Sequence, residues 1–133
     1  MIKLKDILLE GTAPDIFVPR RMEDRIDRMI SLYVRNGSKG DLDLSGRKLT
    51  KLPRTLKDIT VNGWLYCNEN KLTSLENSPK IVNGNFYCSF NNLTSLEFAP
   101  KVVKRNFICH GNDVKFTEQD VRAVCDVTGT MYL

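Results

Sequence analysis

No stretch of this chain is apolar for long enough to cross a bilayer. Its opening Met1-Ile2-Lys3-Leu4-Lys5-Asp6 breaks up its hydrophobics with charges, unlike a secretory signal. A soluble protein of the cytoplasm is therefore expected. Glycine-rich phosphate loops and the helical zinc-protease motif are missing, and histidine occurs once, at His110. A strong charge of either sign is missing too: 20 Lys and Arg against 16 Asp and Glu leave +4. The excess lies before residue 62, because the residues after it balance at seven basic and seven acidic. This is well short of the dense basic stripe of a nucleic-acid binder. With 133 residues, 41% of them hydrophobic, the chain has material for one core.

What the chain does have is a repeat. Val61-Asn62-Gly63-Trp64-Leu65-Tyr66-Cys67-Asn68-Glu69-Asn70-Lys71-Leu72-Thr73-Ser74-Leu75-Glu76 returns as Val82-Asn83-Gly84-Asn85-Phe86-Tyr87-Cys88-Ser89-Phe90-Asn91-Asn92-Leu93-Thr94-Ser95-Leu96-Glu97, a period of 21 residues. A third copy starts at Val103 and keeps Phe107, Cys109, Asn112 and Val114, with Thr117 where the next Leu is expected. A more divergent copy precedes them through Leu42, Leu44, Leu49 and Leu52. Fixed periods in this range mark stacked architectures in which each unit buries its apolar face against its neighbours.

The spacing within a unit assigns its faces. Leu65 and Cys67, like Phe86 and Cys88, are two apart, so on a strand they point to one side, into a core. Asn70 and Asn91 follow where the chain bends, and an amide there can bond backbone groups of neighbouring coils. The first copy has Arg47 at this place, as suits a terminal coil. Pro79-Lys80 and Pro100-Lys101 fall on the return of each coil, where a residue without an N–H does least harm. The corners Asn62-Gly63 and Asn83-Gly84 are expected to take positive φ, and Lys104-Arg105 breaks this pattern in the third copy.

These units resemble the leucine-rich-repeat family. The L-x-L-x-x-N-x-L core stands at Leu65 to Leu72 and at Phe86 to Leu93, with Cys taking the second Leu. The resemblance covers residues 40–116 and implies an α/β repeat solenoid, with one strand per coil in a parallel sheet on a concave, protein-gripping side. Units with Cys in the strand and Leu-Thr-Ser-Leu-Glu before Pro-Lys are also similar to those of small proteins of tailed bacteriophages and of bacterial effectors. That similarity implies a phage-encoded protein directed at a host protein in the host cytoplasm, or a structural component of the particle.

The flanks read as caps, which a short solenoid needs. Within 19–39, Met22, Ile26, Met29, Ile30 and Tyr33 fall at helical spacing and stop at Asn36-Gly37. Within 117–133, Thr117 to Asp120 looks like a capping box opening a short helix with Val121, Val124 and Cys125. Residues 1–18 stand apart as an N-terminal arm.

No catalytic centre, metal site or cofactor emerges. Cys67, Cys88 and Cys109 stand one period apart in the Leu position, so they read as an inward ladder of thiols ahead of zinc ligands or disulfides. Alternation then puts His110 on the opposite side from Cys109, too far to act as its base. Effector enzymes with similar repeats carry a large separate catalytic domain, and only about seventeen residues follow the last repeat here. The expectation is a non-enzyme. Its binding surface would be the outward side of the strands, where Trp64 lines up with Asn85, Tyr66 with Tyr87 and Ile108, and Phe90 and His110 stand nearby. Aromatics gathered on a surface mark interface cores, so the expected partner is a protein. A nucleic-acid role would rest on Arg47, Lys48, Lys51, Arg54 and Lys57, which lack interleaved aromatics.

Overall fold

The computed structural model describes residues 22–133, so the expected arm at 1–18 lies outside the described residues. A helix, α1 (Met22–Arg35), comes first. Ile26, Ile30 and Tyr33 of α1 enter the common core, and Gly37, at φ 86°, ends the helix in the left-handed conformation that glycine tolerates. The chain then winds into a parallel β-solenoid of about four turns. One sheet stacks β1 (Leu42–Asp43), β3 (Leu65–Tyr66), β5 (Phe86–Tyr87), β7 (Phe107–Ile108) and β9 (Met131–Tyr132) in chain order.

Two strands per coil, in place of the expected one, are the main correction. The corner after each return is itself extended, and β2 (Thr60–Val61), β4 (Ile81–Val82), β6 (Val102–Val103) and β8 (Asp126–Val127) form a second parallel sheet. Val61, Val82, Val103 and Val127 are its buried members. The consecutive β-branched side chains of Thr60-Val61, Ile81-Val82 and Val102-Val103, with their backbones bonded coil to coil, suit a strand better than a turn.

The register measures each coil. Leu42, Leu65, Phe86, Phe107 and Met131 are successive partners, so the coils hold 23, 21, 21 and 24 residues. The two longer coils contain the helical turns: a 3-10 turn at Arg54–Leu56 in the first and α2 (Glu118–Arg122) in the last. A helix advances about 1.5–2.0 Å per residue against about 3.3 Å in a strand, so extra residues are needed to close the same circuit.

The 117–133 segment accordingly does more than form a helix. Thr117 and Asp120 exchange both bonds of a capping box. After α2 the chain adds a strand to each sheet, with Val127-Thr128-Gly129-Thr130-Met131-Tyr132 repeating the layout of Val82-Asn83-Gly84-Asn85-Phe86-Tyr87. The third copy also departs from expectation: Val114 is exposed, and Phe116 fills the core in its place.

The asparagines join the coils. Asn70 Oδ1 accepts from the N–H groups of Arg47 (2.9 Å) and Leu49 (3.0 Å), while its Nδ2 donates to the carbonyls of Leu44 and Cys67. Asn91 repeats this, accepting from Leu72 and donating to Cys67 and Cys88. Asn112 does the same one coil further on. Each amide thus bonds its own coil and the preceding one. The first coil has no preceding coil to bond, so Arg47 serves there.

The glycine corners are not positive-φ sites, contrary to expectation. Gly63 and Gly84 are absent from the left-handed residues, which include Gly46, Glu69, Phe90 and Gly111 at the bend before each asparagine position. Gly63 and Gly84 serve close approach: a Cβ at Gly63 would run into the Gly40 carbonyl, and one at Gly84 into the Trp64 indole and the Gly63 carbonyl. Gly129 is held in the same way against Asn106 and Arg105. Lys104-Arg105, at the same corner of the third copy, is likewise not left-handed.

Cys67, Cys88 and Cys109 stack inward as free buried thiols, joined by a buried Cys125. Burial, followed by nearby Asp43, raises the Cys67 pKa; burial also raises that of Cys88, which shares a hydrogen bond with Cys109; burial pushes Cys125 up to about 12. A thiol whose folded pKa lies above its unfolded value of 9.0 loses its contribution to stability as pH rises beyond the unfolded value. The raised thiols should therefore contribute a fall in the thermal midpoint above about pH 9, and Cys67→Ala should flatten that fall. All four thiols should label slowly in the native protein and rapidly once it unfolds. A wild-type profile no steeper than the variant's would remove the ladder. Asn91→Ala should destabilise by about 1–3 kcal/mol through unpaired backbone groups, whereas the exposed Thr94→Ala should be neutral by chemical denaturation.

Candidate functional site

The core-facing residues determine which side chains face out. Leu65 and Cys67 are buried, so Tyr66 points away from the core, and the same alternation orients Tyr87, Ile108 and Tyr132. The parallel register lines up Asp43, Tyr66, Tyr87, Ile108 and Tyr132 in one row across the five-stranded sheet. A second row, one alternation earlier, runs Asp41, Trp64, Asn85, Asn106, Thr130; a third, one later, runs Ser45, Asn68, Ser89, His110.

Three rings gather at the centre. Tyr66 and Tyr87 lie stacked with centroids 4.8 Å apart and planes 8° from parallel. Trp64 leans across both, 6.1 Å from Tyr66 and 6.0 Å from Tyr87. Trp64 is 39% exposed and both tyrosines are half-buried. The indole can lie there because Gly84 beneath it has no side chain. The Tyr66 phenol is held above its ordinary pKa by burial, then by Tyr87 and the negative charges of Asp41 and Asp43. It stays neutral, a hydrogen-bonding group on an apolar platform.

The earlier row is a second hydrogen-bond ladder. Asp41 Oδ1 accepts from Trp64 N–H at 2.8 Å, Asn85 Oδ1 from Asn106 N–H at 2.9 Å, and Asn106 Oδ1 from Thr130 N–H at 2.9 Å. Trp64 has no acceptor to pass on and supplies a ring in its place.

Two of the expected surface residues are covered by their neighbours on the outward side. Asn85 is only 7% exposed, because its Oδ1 serves the ladder and its Nδ2 donates to Tyr87 Oη at 3.1 Å; it supports the platform from below. Ile108 is also 7% exposed, since it stands between the larger Tyr87 and Tyr132 in its row. Phe90 and His110 are exposed but form a pair of their own, ring edge on face at 5.1 Å, with Phe90 resting on Gly111. Phe90 has φ 55°, a conformation that costs a bulky residue about 1–3 kcal/mol, yet its ring is 53% exposed. His110 and Cys109 lie on opposite sides of their strand, the thiol buried and the imidazole exposed.

Tyr132 was not legible as a surface residue, because 117–133 reads as helical cap; it is 50% exposed and closes the central row. The signal was present in Val127, Gly129 and Met131, which keep the spacing of Val82, Gly84 and Phe86. Asp41 and Asp43 were missed for lack of an aromatic in the first coil. Among the described residues no group of three or more His, Cys, Asp or Glu is arranged to hold a metal ion, and no helix is long and apolar enough to cross a membrane.

Since the platform depends on the space over Gly84, Gly84→Ala should destabilise the fold by about 1–3 kcal/mol, the usual effect of overpacking. It should also shift the emission of Trp64, the one tryptophan of the chain. Unchanged emission would mean that the indole does not rest on this glycine.

No family model matches the chain, and neither a curated protein nor a solved structure matches it.

Proposed function

We propose that the chain is a non-catalytic protein-binding module of the leucine-rich-repeat type, with the outward side of the five-stranded sheet as its recognition surface. The observation behind this reading is the cluster of Trp64, Tyr66 and Tyr87: three large rings packed on one another, all partly open to solvent, on a side the core does not use. Rigid aromatics offer large contact area at small loss of side-chain freedom, which is why they dominate binding hot spots. The family reading is supported by the strand-bend-asparagine order of each coil and by the amide ladder. Within it α1 and the 117–133 segment act as end caps, the platform lies on the concave side, and the similarity to phage proteins makes a host cytoplasmic protein the expected target.

The nucleic-acid reading has less support. Lys57, Lys80 and Lys101 border a groove on the return side next to the exposed Phe98, but Asp58 and Glu76 border it too. The aromatic rows contain no Lys or Arg at all.

The test is a capture experiment in which proteins retained from host extract are identified and then measured against variants. Replacing Tyr66 and Tyr87 together by Ala should weaken binding by at least about 2 kcal/mol in a protein that stays folded, with a modest fall in melting temperature from the lost ring stack and the Asn85 bond. Reversing charge at Arg54 and Lys57 should change it little. A double tyrosine variant that binds normally would move the recognition surface elsewhere.

A further inference from the structure

The aromatic side is electrically unlike the chain that carries it. Twenty of 133 residues are Lys or Arg, yet none stands in the three outward rows, whose only formally charged side chains are Asp41 and Asp43. Both stand on the first coil, at the edge of the ring cluster. Asp43 is the register partner of Tyr66, and Asp41 accepts the Trp64 backbone N–H.

These carboxylates are half used. Asp41 bonds through Oδ1 to Trp64 N–H, and Asp43 through Oδ1 to the N–H and hydroxyl of Ser45 at 2.9 and 2.6 Å. No described residue bonds Oδ2 of either one, and no described cation pairs with them. The nearest guanidinium, that of Arg47, donates to the Asp43 carbonyl oxygen at 3.1 Å rather than to its carboxylate. Two exposed carboxylates thus stand beside the indole and a phenol, in rows that hold no Lys or Arg, with the Arg47 guanidinium engaged by a backbone carbonyl at their edge.

Resting on the protein-binding reading above, we propose that this end of the sheet takes the cationic side chain, arginine or lysine, of a basic segment in the partner protein. A cation over a ring face is attracted by the negative face of its quadrupole, and a neighbouring carboxylate supplies the opposite charge and, for arginine, a planar acceptor for its fork of donors. The same surface repels phosphate, so a nucleic acid is the wrong occupant. A second copy of this chain, presenting its own basic return side, is the competing one.

Trp64, as the single tryptophan, reports on the site directly. An oligoarginine peptide titrated into the intact protein at low salt should change Trp64 emission saturably, and added salt should weaken the response. Asp41→Asn with Asp43→Asn keeps the Oδ1 acceptors, so the melting temperature should stay constant while affinity for the peptide falls by about tenfold or more. An oligoglutamate peptide and a single-stranded oligonucleotide should leave the emission unchanged. The proposal is overturned by a silent arginine titration, by equal affinity in the doubly amidated variant, or by an equal response to the oligonucleotide. Emission that instead depends on protein concentration, with dimers in sedimentation, would assign the site to a second copy. A captured partner lost by the tyrosine variant but kept by the amidated one would sink the cation site alone; a partner kept by both would sink the recognition surface as well.

Discussion

Each turn of this solenoid rests on one exchange: an asparagine amide that accepts from backbone N–H groups of the coil before it and donates to carbonyls of that coil and its own. A chain that bends sharply around a narrow core leaves backbone groups pointing where no strand can reach them, and unpaired buried groups cost about 1–3 kcal/mol each. An amide carries two donors on its nitrogen and two acceptor lone pairs on its oxygen on one short side chain, enough to serve both coils at once. Glutamine would overreach, and aspartate would lack the donor. With the bends held in this way, coils stack in strict register, and strict register is what aligns side chains into rows.

Everything on the outward side follows from that register. Two-residue strands define little by themselves, but their stacking puts Tyr66 on Tyr87 and Ile108 between two tyrosines. Glycine corners let coils approach closely, and at Gly84 the same missing side chain gives Trp64 its seat. The thiol ladder inside and the ring cluster outside are two consequences of one alternation. Small cysteines suit the narrow interior next to Phe86 and Phe107, which meet edge to face at 5.3 Å. The rings of Trp64, Tyr66 and Tyr87 take the outside.

The charge pattern is a further consequence of the coil geometry. Two of the returns carry the Pro-Lys element, at Pro79-Lys80 and Pro100-Lys101, which places lysines on the side away from the rings, while the rows themselves hold amides, hydroxyls, rings and the carboxylates of Asp41 and Asp43. A chain that is mildly basic as a whole thus presents a side that is neutral to acidic. Net charge alone, at +4, points towards acidic partners, and the local pattern points the opposite way. The local pattern governs contact because exposed charges beyond about 8–10 Å are largely screened at physiological salt.

How much of this was legible depends on distance along the chain. The period, the inward places of Leu65, Cys67, Phe86 and Cys88, the bending asparagines, the capping box at Thr117 and the outward rows follow from the sequence, because each depends on local alternation repeated at one interval. The second sheet does not, since Asn-Gly after a valine reads as a turn until coils are stacked and the valines find partners. The use of Gly63 and Gly84 for close approach, the burial of Asn85 and Ile108, and the entry of Met131-Tyr132 into the sheet likewise required neighbouring coils in place. By itself the sequence determined which residues face in and which face out. Only the tertiary structure decided which outward residues remain exposed, because exposure depends on the size and hydrogen bonding of the side chain one coil away, about twenty residues distant in the chain and adjacent in space.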